Sequence, residues 1–152
     1  MAMWDDHENC DGWGSLPEEK LDWPVGRTLF AAAREQALLF QLGTAPDQVS
    51  PPALDPEGRS LSWHLKLPGL DVIAPDLRSE RRPDRVMGER GWAALERALA
   101  AWGDGRILLL SSVPTLGPRL SWVEAAMQLV PRAQEYEDDL RDQWQSRAHR
   151  TE

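Results

Sequence analysis

The stretch LSWHLKLPGLDVIA, residues 61–74, alternates apolar and polar side chains up to Leu67 and then breaks at Pro68-Gly69. A period of two is typical of a strand with one buried face. The Pro-Gly pair predicts a tight turn, so that Leu70 to Ala74 returns as the second strand of a hairpin. His64 occupies a polar position of the first strand, and we expect its side chain to face solvent.

Helices are predicted on both sides of this hairpin. Apolar residues recur at three- and four-residue spacing from Arg27 to Leu42, where Gly43 predicts the end of the helix. The same spacing recurs from Trp92 to Trp102. A capping box that starts at Ser121 predicts another helix, and a further one is expected from Ala133 onward.

Ile107 to Leu110 is a short and fully apolar run, which predicts a strand that is buried on both faces. The prolines between residues 44 and 58 predict a surface loop. Helices that alternate with a hairpin and a buried strand favour an α/β or α+β fold with a layered sheet.

The composition excludes several classes of protein. The 152 residues carry 17 basic and 25 acidic side chains, and this net charge of −8 repels nucleic acid and anionic membranes. No apolar run is long enough to span a membrane. One cysteine, Cys10, excludes a disulfide within the chain. No signal-peptide pattern is visible, which leaves the compartment open with the cytoplasm slightly favoured.

The densest ionisable cluster begins at Trp4 and reads WDDHENCD. Its carboxylates and imidazole, at Asp5, Asp6 and His7, are ligand types that divalent or ferric ions prefer. An imidazole can also donate a proton or hydrogen-bond a phosphoryl oxygen. The alternative interpretation is an acidic tail that is frayed in solution.

A second charged cluster, DLRSERR at residues 76–82, follows the hairpin. Guanidinium groups match phosphate oxygens, so Arg78 and Arg81 are candidates for binding an anionic substrate. A solvated loop with local ion pairs is the alternative. The chain contains no GxxxxGK[ST], GxGxxG or GxSxG pattern, so these motifs do not indicate a nucleotide loop or a serine nucleophile.

Three blocks of the chain resemble PhoD-like phosphatases, a branch of the calcineurin-like metallophosphoesterases. The first is WDDHE at residues 4–8 followed by DGWGS at 11–15, and the second is DLRSER at 76–81. The third is EDDLRDQW at 137–144 followed by His149-Arg150. The blocks occur in the order found in that family and together frame almost the whole chain.

The resemblance implies an α/β fold that is part of a four-layer β-sandwich flanked by helices, with residues 1–152 as a partial domain truncated at both ends. It implies that Asp6 is a metal ligand, that Asp5 is a weaker second one, and that His7 is the catalytic residue at the phosphoryl group. The cofactor would be a metal pair or cluster of iron, calcium, manganese or zinc, and the substrate a small phosphate ester.

Other blocks of the superfamily, D-x-H and G-D before the first block and a D/E-x-H block after the last, are not in the chain. We therefore expect the parent protein to hydrolyse phosphate esters and the isolated chain to be inactive. One alternative is a non-catalytic binding or assembly module on the same scaffold. Another is a metallophosphoesterase that acts on a different phosphodiester, such as a nucleotide or a lipid headgroup.

Overall fold

The structure, a computed structural model, describes residues 2–49, 52–55, 59–116, 121–127, 143, 144, 146 and 149. It has a mixed α/β fold in which helices accompany a three-stranded sheet. In chain order the elements are α1 (Glu18–Leu21), α2 (Pro24–Ala37), β1 (Trp63–Leu67), β2 (Leu70–Ala74), α3 (Glu89–Ala100), β3 (Arg106–Leu109) and α4 (Ser121–Met127).

The predicted hairpin is confirmed. Strands β1 and β2 pair antiparallel with Leu67 opposite Leu70, and Gly69 takes the left-handed conformation (φ 73°) that the turn requires. Strand β3 joins the other side of β2 in parallel. The chain makes this parallel crossover through α3, as a parallel pair requires a long connection.

Two predictions about the strands are wrong. The apolar strand β3 is not buried on both faces, because Leu108 and Leu109 are 48% and 51% exposed at the edge of the described sheet. The side chain of His64 does not face solvent: it is 8% exposed and its Nε2 lies 3.1 Å from Oδ1 of Asp71 on β2. His64, although at a polar position of the strand, therefore pairs with a residue of the neighbouring strand instead of facing solvent.

Helix α2 begins at Pro24 and passes without a break into a π-helical turn, Leu38–Leu42. Gly43 ends it with φ 65°, as predicted. The buried ring of Phe30 stacks on Trp13 at 5.7 Å and meets the edge of Trp4 at 6.1 Å. The N-terminal segment is therefore part of a hydrophobic core.

A second core cluster lies between α3 and β2, with Ile73 and Val86 at 0% exposure and Leu77 at 1%. The helix predicted from Ala133 onward lies almost wholly outside the described residues, as do the side chains of the predicted capping box at Ser121. Within the part of the chain that the structure describes, no helix has the length and apolarity needed to cross a membrane.

Candidate metal centre

The acidic N-terminal cluster is folded and anchored. Trp4 is 5% exposed in the first core cluster, and residues Asp6–Glu8 form a 3-10 turn one residue after it. The backbone N–H of Asp5 donates to Glu8 Oε2 (2.9 Å), and the N–H of Asn9 donates to the carbonyl of Asp6 (2.8 Å). The geometry is therefore that of a packed turn and not that of a frayed tail.

Asp6 is the buried carboxylate of this turn, at 6% exposure. The N–H of Gly12 donates to its Oδ2 at 2.9 Å, while its Oδ1 lies 3.3 Å from His7 Nδ1. Burial by itself raises the pKa of Asp6, but the Gly12 amide and the charges of Arg78 and His7 outweigh burial and hold that pKa below its usual value. Asp6 is therefore ionised at neutral pH.

Three possible metal donors meet at this turn. One ligand atom each from Asp6, His7 and Asp11 lies within 4.8 Å of the others, and His7 Nε2 is 3.5 Å from Asp11 Oδ1. The side chains of His7 and Asp11 are 78% and 75% exposed, so the group is open on one side. Two carboxylates and an imidazole fit a hard or borderline ion.

The grouping differs in one member from the sequence-based candidates. Asp11 was not predicted as a ligand, although it stands four residues after His7 and opens the DGWGS block. Asp5 is not part of the group, and its Oδ1 accepts a hydrogen bond from Arg78 Nε at 2.6 Å. The spacing His7 to Asp11 was the signal that could have identified the third donor.

Arg78 connects the second block to the first. Its side chain is 5% exposed and lies beneath the turn, with Nε on Asp5 and Nη2 3.5 Å from Asp6 Oδ1. The interpretation of residues 76–82 as a solvated loop is wrong for this part, because Asp76, Arg78 and Arg81 are all buried. Arg78 faces the carboxylates of the candidate centre from the protein side.

Asp76 folds the loop that presents Arg78. Its Oδ1 accepts the backbone N–H groups of Arg78 and Ser79, each at 2.9 Å, and its Oδ2 accepts the N–H of Leu61 at 2.7 Å and the Ser79 hydroxyl. A buried carboxylate with several donors fixes backbone direction. The role of Asp76 was not predicted, although an Asp side chain commonly forms a turn by accepting the backbone N–H two residues further on.

Arg81 links all three blocks. It is fully buried, its Nε donates to Ser15 Oγ at 3.2 Å, and its Nη2 lies 3.5 Å from Nδ1 of the buried His149. Gly14 (φ 93°) is so close that a Cβ there would lie 2.6 Å from the Cβ of Arg81. The predicted site residues Asp5, Asp6, His7 and Arg78 are thus brought together, and Arg81 supports the adjoining DGWGS loop.

A buried, ionised carboxylate beside an imidazole and a second carboxylate, on an α/β scaffold, makes this turn a candidate metal centre. The chain belongs to the PhoD related phosphatase family, whose profile matches residues 1–146. This confirms the resemblance found in the sequence blocks.

A similar protein is the uncharacterized protein YGR266W of Saccharomyces cerevisiae, which is 25% identical over 201 residues. That alignment covers 100% of this chain and 28% of the yeast protein, so the chain spans less than a third of the length of this relative. No solved structure matches the chain.

Proposed function

We propose that the protein containing this chain hydrolyses small phosphate esters at a metal centre to which Asp6 contributes a ligand and at which His7 is the catalytic residue. The observation that supports this most is the ionised Asp6 carboxylate, which is buried on one side and turned on the other toward His7 and Asp11. Membership of the PhoD related phosphatase family points to the same chemistry.

Asp6 and Asp11 would hold the metal, with Asp5 as a weaker candidate because Arg78 already occupies one of its oxygens. Carboxylate ligands suit iron, calcium, manganese or zinc, and the donors do not select among these ions. When bound, the ion supplies an activated water and neutralises charge on the phosphoryl oxygens.

His7 is placed to act on the substrate. Its ring is 78% exposed, with Nδ1 directed at Asp6 and Nε2 near Asp11. In the tautomer whose Nδ1–H donates to Asp6, the ring is oriented by that bond, and Nε2 lies toward the open side of the turn. From there a protonated His7 donates a hydrogen bond to a phosphoryl oxygen or a proton to the leaving group.

Arg78 and Arg81 were predicted from the sequence to bind substrate. Their burial and their bonds to Asp5, Asp6 and Ser15 favour a different role, in which they position the metal-binding turn and the loop beside it. The two roles differ in their kinetic effect. Loss of a substrate contact raises KM, whereas loss of positioning lowers metal affinity and kcat together.

We further propose that this chain is inactive without additional parts of the parent protein. Asp6 and Asp11, or three donors if His7 is counted as well, are too few among the described residues to hold a metal pair. The apolar side chains of Leu65, Leu67 and Leu108, which share one face of the sheet, are 36%, 45% and 48% exposed. This exposed part of the face, beside the buried Trp63 and Val72, supports the four-layer sandwich, because a second layer would cover it.

The shortage of donors equally favours the alternative of a non-catalytic binding or assembly module. Experiments on the full-length protein distinguish the two functions. An enzyme would bind metal stoichiometrically and hydrolyse a phosphate ester, whereas a binding module would do neither. We expect His7→Ala in that protein to lower kcat by about 100-fold or more while KM and metal content change little.

Asp47 is an exposed residue that does not belong to the group of metal donors. Asp47→Asn is therefore a suitable control and should retain wild-type kinetics. Unchanged turnover in His7→Ala with full metal content would refute the catalytic role of His7. Absence of both metal and hydrolysis in the wild-type protein would support the module instead.

A further inference from the structure

Two sets of arginines lie around the loop that follows β2. Arg78 and Arg81 are buried and face the N-terminal turn. A second set faces outward and lines an open cleft of about 420 Å³, which falls within the range of about 300–1,000 Å³ of small-molecule sites. The arginines of this cleft are Arg59, Arg82, Arg85 and Arg90.

Two of these guanidinium groups are paired with carboxylates. Arg82 Nη2 lies 3.1 Å from Asp22 Oδ1, and Arg90 Nη2 lies 2.8 Å from Asp55 Oδ1. Their charge toward the cleft is therefore largely compensated. Both pairs nevertheless fix the orientation of a side chain in the cleft wall.

The other two guanidinium groups have no carboxylate partner among the described residues. Arg85 Nε makes a long hydrogen bond, 3.4 Å, to the carbonyl of Glu80, and the Arg59 guanidinium lies 4.6 Å from the centre of the Phe30 ring. Neither contact neutralises a charge, so both groups keep their capacity to bind an anion.

Two acidic residues, Glu80 and Glu89, also line the cleft. The Glu80 carboxylate accepts the N–H of Gly91 at 2.8 Å and thereby caps the first turn of α3. Its charge is offset by the positive end of that helix, which opens on the same cleft. Glu89 is exposed in the first turn and is the one acidic side chain of the lining without such compensation.

We propose that this cleft is an oxyanion site for a phosphate group, with Arg59 and Arg85 as its ligand-binding residues. In a chain of net charge −8, long-range attraction does not bring an anion to the surface, so a phosphate needs a local arrangement of this kind. The planar guanidinium fork binds two oxygens of one phosphate at once, which a monatomic chloride does not allow. The cleft shares no lining residue with the candidate metal centre.

The test is a calorimetric titration of the chain with inorganic phosphate and with glycerol phosphate, in the presence of a chelator and at constant ionic strength. We expect saturable binding that Arg59→Gln and Arg85→Gln each weaken by about tenfold. Arg106→Gln is the matched control, because Arg106 is an exposed arginine on β3 and its substitution removes the same charge outside the cleft.

Equal affinity for the two ligands would assign the cleft to free phosphate, and tighter binding of glycerol phosphate would assign it to a phosphate ester. Both results support the oxyanion site. Lack of saturable binding by the folded wild-type chain would overturn it, as would equal weakening by Arg106→Gln and Arg85→Gln. Because no metal is present, none of these results depends on the proposed hydrolysis.

Discussion

Arg78 and Asp5 are 73 positions apart in the chain, yet Arg78 Nε donates a hydrogen bond of 2.6 Å to Asp5 Oδ1. The same guanidinium reaches Asp6, so a single buried cation compensates both carboxylates of the N-terminal motif. The DLRSER block thus acts on the candidate metal centre from the protein side. This relationship is the basis of the first prediction.

Replacing Arg78 by Gln should destabilise the fold by about 3–5 kcal/mol, because Asp6 then remains buried without a cation. Urea unfolding of the chain measures this change. Arg106→Gln, on the exposed edge of β3, should change stability by less than about 0.5 kcal/mol. A double-mutant cycle with Asp5→Asn should give a coupling of about 0.5–3 kcal/mol, and strict additivity would contradict a direct Arg78–Asp5 interaction.

Gly14 and Gly43 provide a matched pair for the second prediction. Both have a left-handed backbone, with φ 93° and 65°, but a Cβ at Gly14 would meet Arg81 whereas nothing lies within 4 Å of one at Gly43. Gly43→Ala should therefore lower the free energy of unfolding by only about 1–2 kcal/mol, which is the strain of an alanine in the left-handed conformation. Gly14→Ala should cost about 1–3 kcal/mol more, since Arg81 must shift. Equal losses in thermal or urea unfolding would show that Gly14 does not contact Arg81.

Local sequence patterns correctly predicted those parts of the fold that depend on only a few neighbouring residues. The Pro68-Gly69 turn and the end of the helix at Gly43 follow from backbone preferences of a few neighbouring residues, and both were predicted. The burial of β3 was predicted wrongly because apolar composition does not report whether a strand is central or at an edge.

The candidate site was predictable in its residue types but not in its connections. The pattern WDDHE indicated metal ligands, yet the pairing of Asp5 with Arg78 and the cap that Glu80 provides for α3 join residues distant in sequence. Long-range pairs of this kind leave no local periodicity. His64 was misassigned for a different reason: its partner Asp71 is only seven residues away, but the alternation within one strand does not show which residue of the neighbouring strand it meets.

The lowered pKa of Asp6 makes a prediction about acid stability in chelator-treated protein. A carboxyl group whose pKa is lower in the folded state stabilises the fold above its ordinary pKa of about 3.9, and this stabilisation is lost as the pH falls through the folded value. Asp6→Asn should therefore be less stable than wild type by about 1–3 kcal/mol at pH 7. This difference in stability between the variant and the wild type should begin to decrease below about pH 5. Urea unfolding at several pH values measures it, and a gap independent of pH would mean that the folded state does not favour the ionised form.

Metal binding by the chain alone gives the last prediction. Asp6, His7 and Asp11 offer three donors, two of them largely exposed, so manganese should bind weakly, with no saturable site of sub-micromolar affinity. Electron paramagnetic resonance of free manganese during a titration measures the affinity. Asp11→Asn should weaken the residual binding more than Asp47→Asn, which removes the same charge from the exposed segment after α2. A tight stoichiometric site in the wild-type chain would contradict the need for further ligands, and equal effects of the two substitutions would exclude Asp11 from the metal centre.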